Sequence, residues 1–255
     1  MDKENIIEAG ANVTGAIVST SMASISPPMA LLGTIIGPVV TAVTSDVANR
    51  ALSRSESDRV NGVTQYMFDK VEKRLNDGDQ PRRDDVFYLR DEYNQSSAEK
   101  LLEETLLRTK QEFEAKKLEY YGNFYANICF ENNVSYETAN SIIGLFSSLS
   151  HQQVKILAYL NTGKTIPLDK WEKEMYIDDR LAPYYMFFSD CLHLYSIRLA
   201  SNPTMKLGVP EIHISHSGKL MCKLLEIVMT EQELREIESQ VIYIEKIVEG
   251  LKTTK

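Results

Sequence analysis

The feature that most constrains this chain is a run of 37 residues without a charged side chain, from Ala9 to Ser45. Charged residues make up 25% of the whole sequence, so the run is a strong local departure. Pro27 and Pro28 divide it, because proline lacks an amide hydrogen and disfavours helix in the residue before it. The run therefore predicts, within residues 1–54, an apolar hairpin of two helices of about 18 residues each.

Three placements of this hairpin fit its composition. Each arm is near the lower length limit for crossing a bilayer, and small residues allow close helix packing in lipid or in a protein core. The hairpin is a permanent anchor, a segment that inserts when triggered, or an apolar core buried in a domain or oligomer. The apolar residues predicted to contact membrane or core are Val18, Ile25, Leu31, Leu32, Ile35, Ile36, Val39 and Val40. The small residues predicted to permit helix packing are Gly15, Gly33 and Gly37.

The charge balance and the cysteines exclude several classes of protein. The chain has 28 basic and 36 acidic residues and a net charge of -8, which disfavours a nucleic-acid partner. Its three cysteines are widely spaced and odd in number, unlike a secreted disulfide framework. Glu4 and Glu8 precede the apolar run, whereas a secretory signal begins with basic residues. These features predict a cytoplasmic protein, and association with the inner membrane follows only for the placements in which the hairpin enters lipid.

Residues 55–131 have the pattern of a helical body. Apolar residues at helical spacing predict one buried face: Val60, Val63, Met67, Val71 and Leu75. Ser96 and Glu99 form a capping box that starts a second helix, predicted to run to about Lys117. The residues expected on its inner face are Leu102, Leu106, Thr109 and Phe113. Between these helices, the mixed-charge segment 79–95 is interpreted as a solvated linker, with a docking loop as the alternative.

Residues 132–229 predict a winged-helix-like module. Ser135 and Ser150 are expected to begin helices, and the alternating residues 211–215 predict a short strand. The helix that would read DNA in such a module is predicted between Leu168 and Leu181. It carries three basic and five acidic residues, which favours protein contacts over DNA contacts.

Residues 230–255 predict a coiled-coil-like helix that joins two copies of the chain. Thr230 and Glu233 form a capping box, and apolar residues follow at alternating steps of three and four. The predicted oligomerisation residues are Leu234, Ile237, Val241, Ile244, Val248 and Leu251. The pattern spans only about three heptads, so packing against the chain's own domain is the alternative.

No arrangement of residues predicts catalysis. His213 and His216 form a metal site with Cys191 and His193 only if the fold brings the two pairs together, and no metal ligand is assigned. The segment Gly163-Lys164-Thr165 lacks the upstream glycine of a phosphate-binding loop. The prediction is a protein that is not an enzyme and that uses no cofactor.

Three phrases of the sequence resemble those of a known family. They are Tyr120 to Ile128, Leu149 to Leu157 and Ile214 to Leu220. Together with the apolar N-terminal segment, they resemble the bacterial abortive-infection alpha family and its uncharacterised relatives, over roughly residues 100–226. Ser215 stands where the family usually has threonine, and no tryptophan precedes Ala126. The resemblance implies a role in bacterial defence against phage, with no catalytic residues to carry over.

These observations predict a mainly α protein with four parts: the apolar hairpin, the helical body, the winged-helix-like module and the heptad helix. The preferred function is a non-enzymatic anti-phage effector, or a subunit of one, whose hairpin permeabilises the membrane when triggered. The alternative is a soluble oligomeric adaptor or winged-helix regulator that uses the hairpin as an interaction core. The predicted partners are a second copy of the chain, a defence-system protein and the membrane.

Overall fold

The computed structural model describes residues 52–82, 85–176, 178–202 and 211–253, so the predicted N-terminal hairpin lies outside the described residues. The described residues form ten α-helices, one 3-10 helix and three short strands. This confirms the prediction of a mainly helical protein. The chain divides into two compact units, Met1–Ser148 and Leu149–Lys255.

The first unit is helical over its described residues. Its helices are α1 (Arg54–Asn76), α2 (Asp85–Tyr88), α3 (Ser97–Gln111), α4 (Ala115–Ile128) and α5 (Tyr136–Ser148). Helix α1 packs against α3 and α4, while α3 also packs against α5. The sequence placed residues 136–148 in the module that begins at 132, whereas α5 falls in the first unit.

Helix α1 has the predicted buried face, and it begins at a capping box. The Ser53 hydroxyl accepts from the Glu56 amide, and the Glu56 carboxylate accepts in return from the Ser53 amide. The five predicted apolar residues are all buried. The helix ends at Asn76, and Gly78 follows with a φ of 93°, a conformation that glycine adopts without strain.

Helix α3 ends earlier than the sequence predicts. It stops at Gln111, and Glu112 takes an extended conformation with φ -77° and ψ 126°. Leu102, Leu106 and Thr109 are buried as expected, but the prediction for Phe113 is wrong, because its side chain is 89% exposed. The exposure of Phe113 has a physical cause. The Glu112 side chain turns inward to pair with Lys117, and the next side chain along, that of Phe113, is directed outward.

The second unit combines helices with a small antiparallel sheet. Its elements are α6 (His151–Asn161), β1 (Ile166–Pro167), α7 (Leu168–Met175), the 3-10 helix η1 (Asp179–Tyr184), α8 (Tyr185–Ser196), β2 (Ala200–Ser201), β3 (Glu211–Ile214), α9 (His216–Leu225) and α10 (Glu231–Thr253). Strand β3 lies between β1 and β2: Ile166 is opposite Ile212, and Ala200 is opposite Ile214. The predicted helix from Leu168 to Leu181 is interrupted, because α7 ends at Met175 and Asp178 caps the separate 3-10 helix η1.

Helix α10 begins at the predicted capping box. The Thr230 amide donates to the Glu233 carboxylate, and the Glu233 amide donates to the Thr230 hydroxyl. The helix packs against α6, α7 and η1 of its own unit. It is therefore the helix that covers the core of the second unit.

Candidate functional site

The histidines and cysteines singled out in the sequence do not come together in the described part of the chain. Cys129, Cys191 and Cys222 are buried and unpaired. Burial raises the pKa of Cys129 and of Cys222 to about 12, so both thiols stay protonated and poorly nucleophilic at neutral pH. Within the described ranges, no group of three or more His, Cys, Asp or Glu side chains is arranged to hold a metal ion.

The predicted hairpin residues, Val18 to Val40 and the three glycines, lie outside the described residues. Among the helices that the structure describes, none combines the length and apolarity that a bilayer crossing requires. The membrane role of the hairpin stays a prediction.

The predicted oligomerisation residues lie in α10 and mostly face the core of the second unit. Ile237, Val241, Ile244 and Val248 are buried there. Leu234 and Leu251, at the two ends of the pattern, are only partly buried. Most of the heptad stripe is thus covered by the helix's own unit, in agreement with the alternative that the sequence left open.

The Tyr120–Ile128 phrase of the family resemblance packs α4 against α1. A Cβ atom at Gly122 would lie 2.7 Å from Cδ1 of Tyr66, so only glycine allows this approach without displacement. The Asn123 side-chain oxygen accepts from the Tyr66 hydroxyl at 3.1 Å. The Asn127 oxygen accepts from the Arg74 guanidinium at 2.8 Å. The polar residues of this phrase therefore join two helices of the first unit.

The other two phrases also have structural roles. Ser150 begins α6 through a capping box with Gln153. The Ser215 hydroxyl caps α9 by accepting from the Gly218 amide, and it donates to the Arg198 carbonyl at 2.7 Å. A Cβ atom at Gly218 would lie 2.3 Å from the Leu199 carbonyl oxygen, which explains the glycine. A serine supplies the same cap as the threonine expected from the family.

A buried ion pair organises the junction between α3 and α4. The Lys117 ammonium lies 2.6 Å from the Glu112 carboxylate, and the Tyr121 hydroxyl donates to the same carboxylate at 3.1 Å. Burial alone raises the pKa of Glu112, but the hydrogen bonds from Lys117 and from the Glu114 amide lower it below its ordinary value. Lys117 also lies 5.1 Å from the centre of the Phe146 ring. With all its groups partnered, this cluster is a structural junction.

The second unit exposes a group of aromatic side chains, here called the aromatic patch and defined as Tyr176, Tyr184, Tyr185, Met186 and Tyr243. The rings of Tyr176 and Tyr185 are 5.9 Å apart, and those of Tyr184 and Tyr243 are 5.2 Å apart. Tyr176 is 61% exposed and Met186 is 68% exposed, while Tyr185 and Tyr243 are a little under half exposed. Tyrosine and methionine are enriched at protein interfaces. The aromatic patch is our candidate functional site.

Four neighbouring elements position the aromatic patch. Tyr176 follows α7, Tyr184 and Tyr185 lie where η1 meets α8, and Tyr243 lies on α10. The Tyr176 ring also meets Phe188 at 6.4 Å, which ties the patch to the core. Partial burial, with a hydrogen bond to Tyr185, raises the pKa of Tyr176, so its hydroxyl stays protonated at neutral pH. Each of the four tyrosine rings thus contacts another ring of the second unit.

Charged residues border the aromatic patch. Asp178 and Arg180 form an ion pair at 2.7 Å, and Glu172 lies close enough to act on Tyr176 electrostatically. Ile242, which adjoins Tyr243 on α10, lines an open groove of about 290 Å³ together with Glu238, Glu245, Lys170 and Tyr159. The surface around α10 thus combines exposed apolar side chains with carboxylates.

Sequence reasoning did not predict the aromatic patch. The run Tyr184-Tyr185-Met186 after Pro183 is a local signal of a binding surface, because large side chains follow a helix breaker there. Tyr176 and Tyr243 are distant in the sequence, and only the fold brings them beside that run.

Comparison with known proteins gives no relative: no family model, no curated protein and no solved structure matches the chain significantly. The resemblance to the abortive-infection alpha family therefore stays a prediction from the sequence.

Proposed function

We propose that the chain is a non-enzymatic effector, or effector subunit, of bacterial anti-phage defence. In this role the N-terminal hairpin permeabilises the membrane when infection triggers it, and the second unit binds the protein that controls the trigger. One observation carries the proposal. The same chain contains a run of 37 uncharged residues and an acidic folded body that exposes the aromatic patch. Inserting the run in lipid is favourable only as helices whose polar side chains face partners or a pore.

We further propose that the described elements from α6 to β3 belong to a winged helix. Support comes from the order α6, β1, α7, α8, β2 and β3, and from a sheet in which β3 lies between the other two strands. This order makes α8, instead of the predicted Leu168–Leu181 segment, the helix that would enter a DNA groove. Helix α8 contains no lysine or arginine, and its one basic residue is His193, so it has few groups that could contact phosphates. A protein partner fits its aromatic and apolar start better.

The proposal is tested by expressing the chain in a bacterial host and challenging it with a panel of phages. The intact chain should lower the plating efficiency of at least one phage, and Ile36→Lys should abolish that protection. A lysine at mid-span costs roughly 2.5 kcal/mol or more in lipid. Ser24→Ala changes the same run without adding a charge and should keep the protection. Val18→Lys places the charge in the other arm and should act like Ile36→Lys.

Fractionation and dye release separate membrane action from a buried core. Infection should move the intact chain to the membrane fraction, and the triggered protein should release dye from liposomes. The lysine variants should stay soluble and folded but release no dye. Protection by a chain that stays in the soluble fraction throughout infection would contradict the membrane role.

The second candidate function is a soluble adaptor or winged-helix regulator that uses the hairpin as an interaction core. The aromatic patch supports this candidate as well as the first, because a set of exposed tyrosines serves binding whether or not the hairpin enters a membrane. Under this candidate the lysine variants misassemble, and the intact chain never releases dye.

A further inference from the structure

We propose that the aromatic patch binds a basic amphipathic segment of a partner protein. This inference rests on the proposed role of the second unit as a protein-binding module, and it names the surface and the chemistry of the partner. The apolar side of such a segment would lie on Tyr176, Tyr185 and Met186. The lysine and arginine side chains of the segment would lie against the carboxylates that border the aromatic patch.

The rigidity and size of the aromatic patch support a segment as its occupant. Tyrosine rings supply large contact areas with few rotatable bonds, so they lose little conformational entropy on binding. Four of the patch residues are between 43% and 68% exposed. With an aromatic side chain contributing about 150 to 250 Å², the exposed area is on the order of 400 Å². This area fits the apolar face of a short helix or strand.

The charges around the aromatic patch specify a basic partner. The segments 168–196 and 231–253 carry the patch, and each contains six acidic and three basic residues. In the first segment Glu172 and Asp179 are exposed, as are Lys170 and Lys173, while Arg180 is engaged by Asp178. The negative charge is therefore the net excess of the two segments together. Complementary potentials speed encounter and suppress partners of the same sign. A basic segment is attracted to this border and an acidic one is repelled.

The area of the aromatic patch and the charge around it disfavour a second copy of the chain as the occupant. A stable dimer usually buries about 800 Å² on each partner, roughly twice the area of the aromatic patch. A two-fold interface would also place the acidic border of one copy against that of the other, which is unfavourable. The occupant is therefore a different protein.

The test selects peptides from a random 16-residue display library on the full-length chain and measures their affinities by fluorescence anisotropy. We expect the enriched peptides to carry a net positive charge and apolar residues at helical spacing. Met186→Asp should weaken their binding at least about tenfold, since the carboxylate removes an apolar anchor. Val86→Asp is the matched control, because Val86 is similarly exposed but lies on the first unit, and it should leave binding unchanged. Both variants are checked for folding by circular dichroism.

A charge variant tests whether the carboxylates around the aromatic patch recognise a basic partner. Glu172→Lys combined with Asp179→Lys should weaken the basic peptides about tenfold or more and reduce the salt dependence of their binding. Enriched peptides that are acidic, or that bind Met186→Asp as well as the intact chain, would overturn the proposal. So would a dimer of the intact chain that dissociates in Met186→Asp, since the occupant would then be a second copy.

The outcome also separates this inference from the proposed function. Peptide binding at the aromatic patch in a chain that protects against no phage would uphold the surface and reject the defence role. Full protection by the Met186→Asp variant would uphold the defence role and reject the patch as its docking surface.

Discussion

Helices α1 and α10 are both 23 residues long and both begin at a capping box, yet their surfaces differ. In α1 one apolar face is buried against α3 and α4, and none of its large apolar side chains is exposed. In α10 an equally regular face is buried, but Ile242 and Tyr243 remain about half exposed beside it. A single buried face is enough to fold each unit. The additional apolar residues of α10 are therefore the part of this helix that our proposal assigns to contact with a partner.

The largest expected effect is on the buried faces of the two helices. Met67→Asp in α1 and Ile244→Asp in α10 should each lower the free energy of unfolding by more than about 4 kcal/mol, because both place an unpaired carboxylate in a core. Ile242→Asp should change it by less than about 1 kcal/mol, since that side chain is half exposed. Urea denaturation followed by circular dichroism measures all three.

A double variant of α10 decides between the two interpretations of the heptad stripe. If the stripe joins two chains, combined Val241→Asp and Ile244→Asp substitutions should give a folded protein whose mass in light scattering falls to that of a monomer. If the stripe folds the second unit, the double variant should lose helical structure. The burial of both side chains leads us to expect the second result.

The next effect concerns the junction between α3 and α4, the two helices that cover α1. Glu112→Ala leaves the Lys117 ammonium buried beside only the more distant Glu114 carboxylate, and should cost about 3 kcal/mol. Replacing both partners, Glu112→Leu with Lys117→Met, should restore most of that loss, because a well-packed apolar pair is often as stable as a buried ion pair. A double variant as unstable as Glu112→Ala would show that the charges themselves are required.

The same junction predicts a pH dependence. The pKa of Glu112 is lower in the folded chain than in the unfolded chain, so its contribution is complete above the unfolded value of about 4.3. The contribution is lost as the pH falls through the lower, folded value. The stability difference between the intact chain and the Glu112→Leu, Lys117→Met variant should therefore shift in favour of the variant at acidic pH. Urea midpoints at pH 7 and at lower pH measure this shift.

A smaller loss of stability is expected at two glycines that allow close packing, Gly122 against α1 and Gly218 against Leu199 and Ile214. Gly218→Ala should destabilise the chain by about 1 to 3 kcal/mol, because the new Cβ meets the Leu199 backbone carbonyl. Gly122→Ala should cost less, since its Cβ meets the side chain of Tyr66, which is easier to displace than backbone. Thermal unfolding ranks the two, and the reverse order would show that α9 moves more easily than α4.

The smallest effects are gains within the two helices themselves. At Gly62 in α1 and Gly250 in α10, an added Cβ atom would meet no other atom within 4 Å. Alanine at either position should raise the free energy of unfolding by about 0.4 to 1 kcal/mol, because alanine has less backbone freedom to lose. A loss at Gly250 alone would indicate that a partner approaches α10 there.

The sequence predicted the features of this fold that depend on local chemistry. Capping boxes at Ser96, Ser150 and Thr230 and the buried face of α1 follow from spacing, and the structure confirms them. The early end of α3 did not follow, because neither glycine nor proline marks Gln111. It depends on the pairing of Glu112 with Lys117, a tertiary interaction.

The candidate site was beyond sequence reasoning for a similar reason. Each tyrosine of the aromatic patch has the same local pattern as a core residue, and Phe113 shows how such a pattern misleads. Exposure depends on which elements pack nearby, which spacing does not report. The patch became visible only when the fold brought Tyr176 and Tyr243 to the start of α8.

Hydrogen–deuterium exchange of the full-length chain, with and without a selected basic peptide, tests the central claim most directly. We expect the peptide to slow amide exchange around residues 176–186 and 242–246 and to leave the exchange rates of α1 unchanged. Slower exchange in α1, or unchanged exchange at the aromatic patch in a saturated complex, would contradict it.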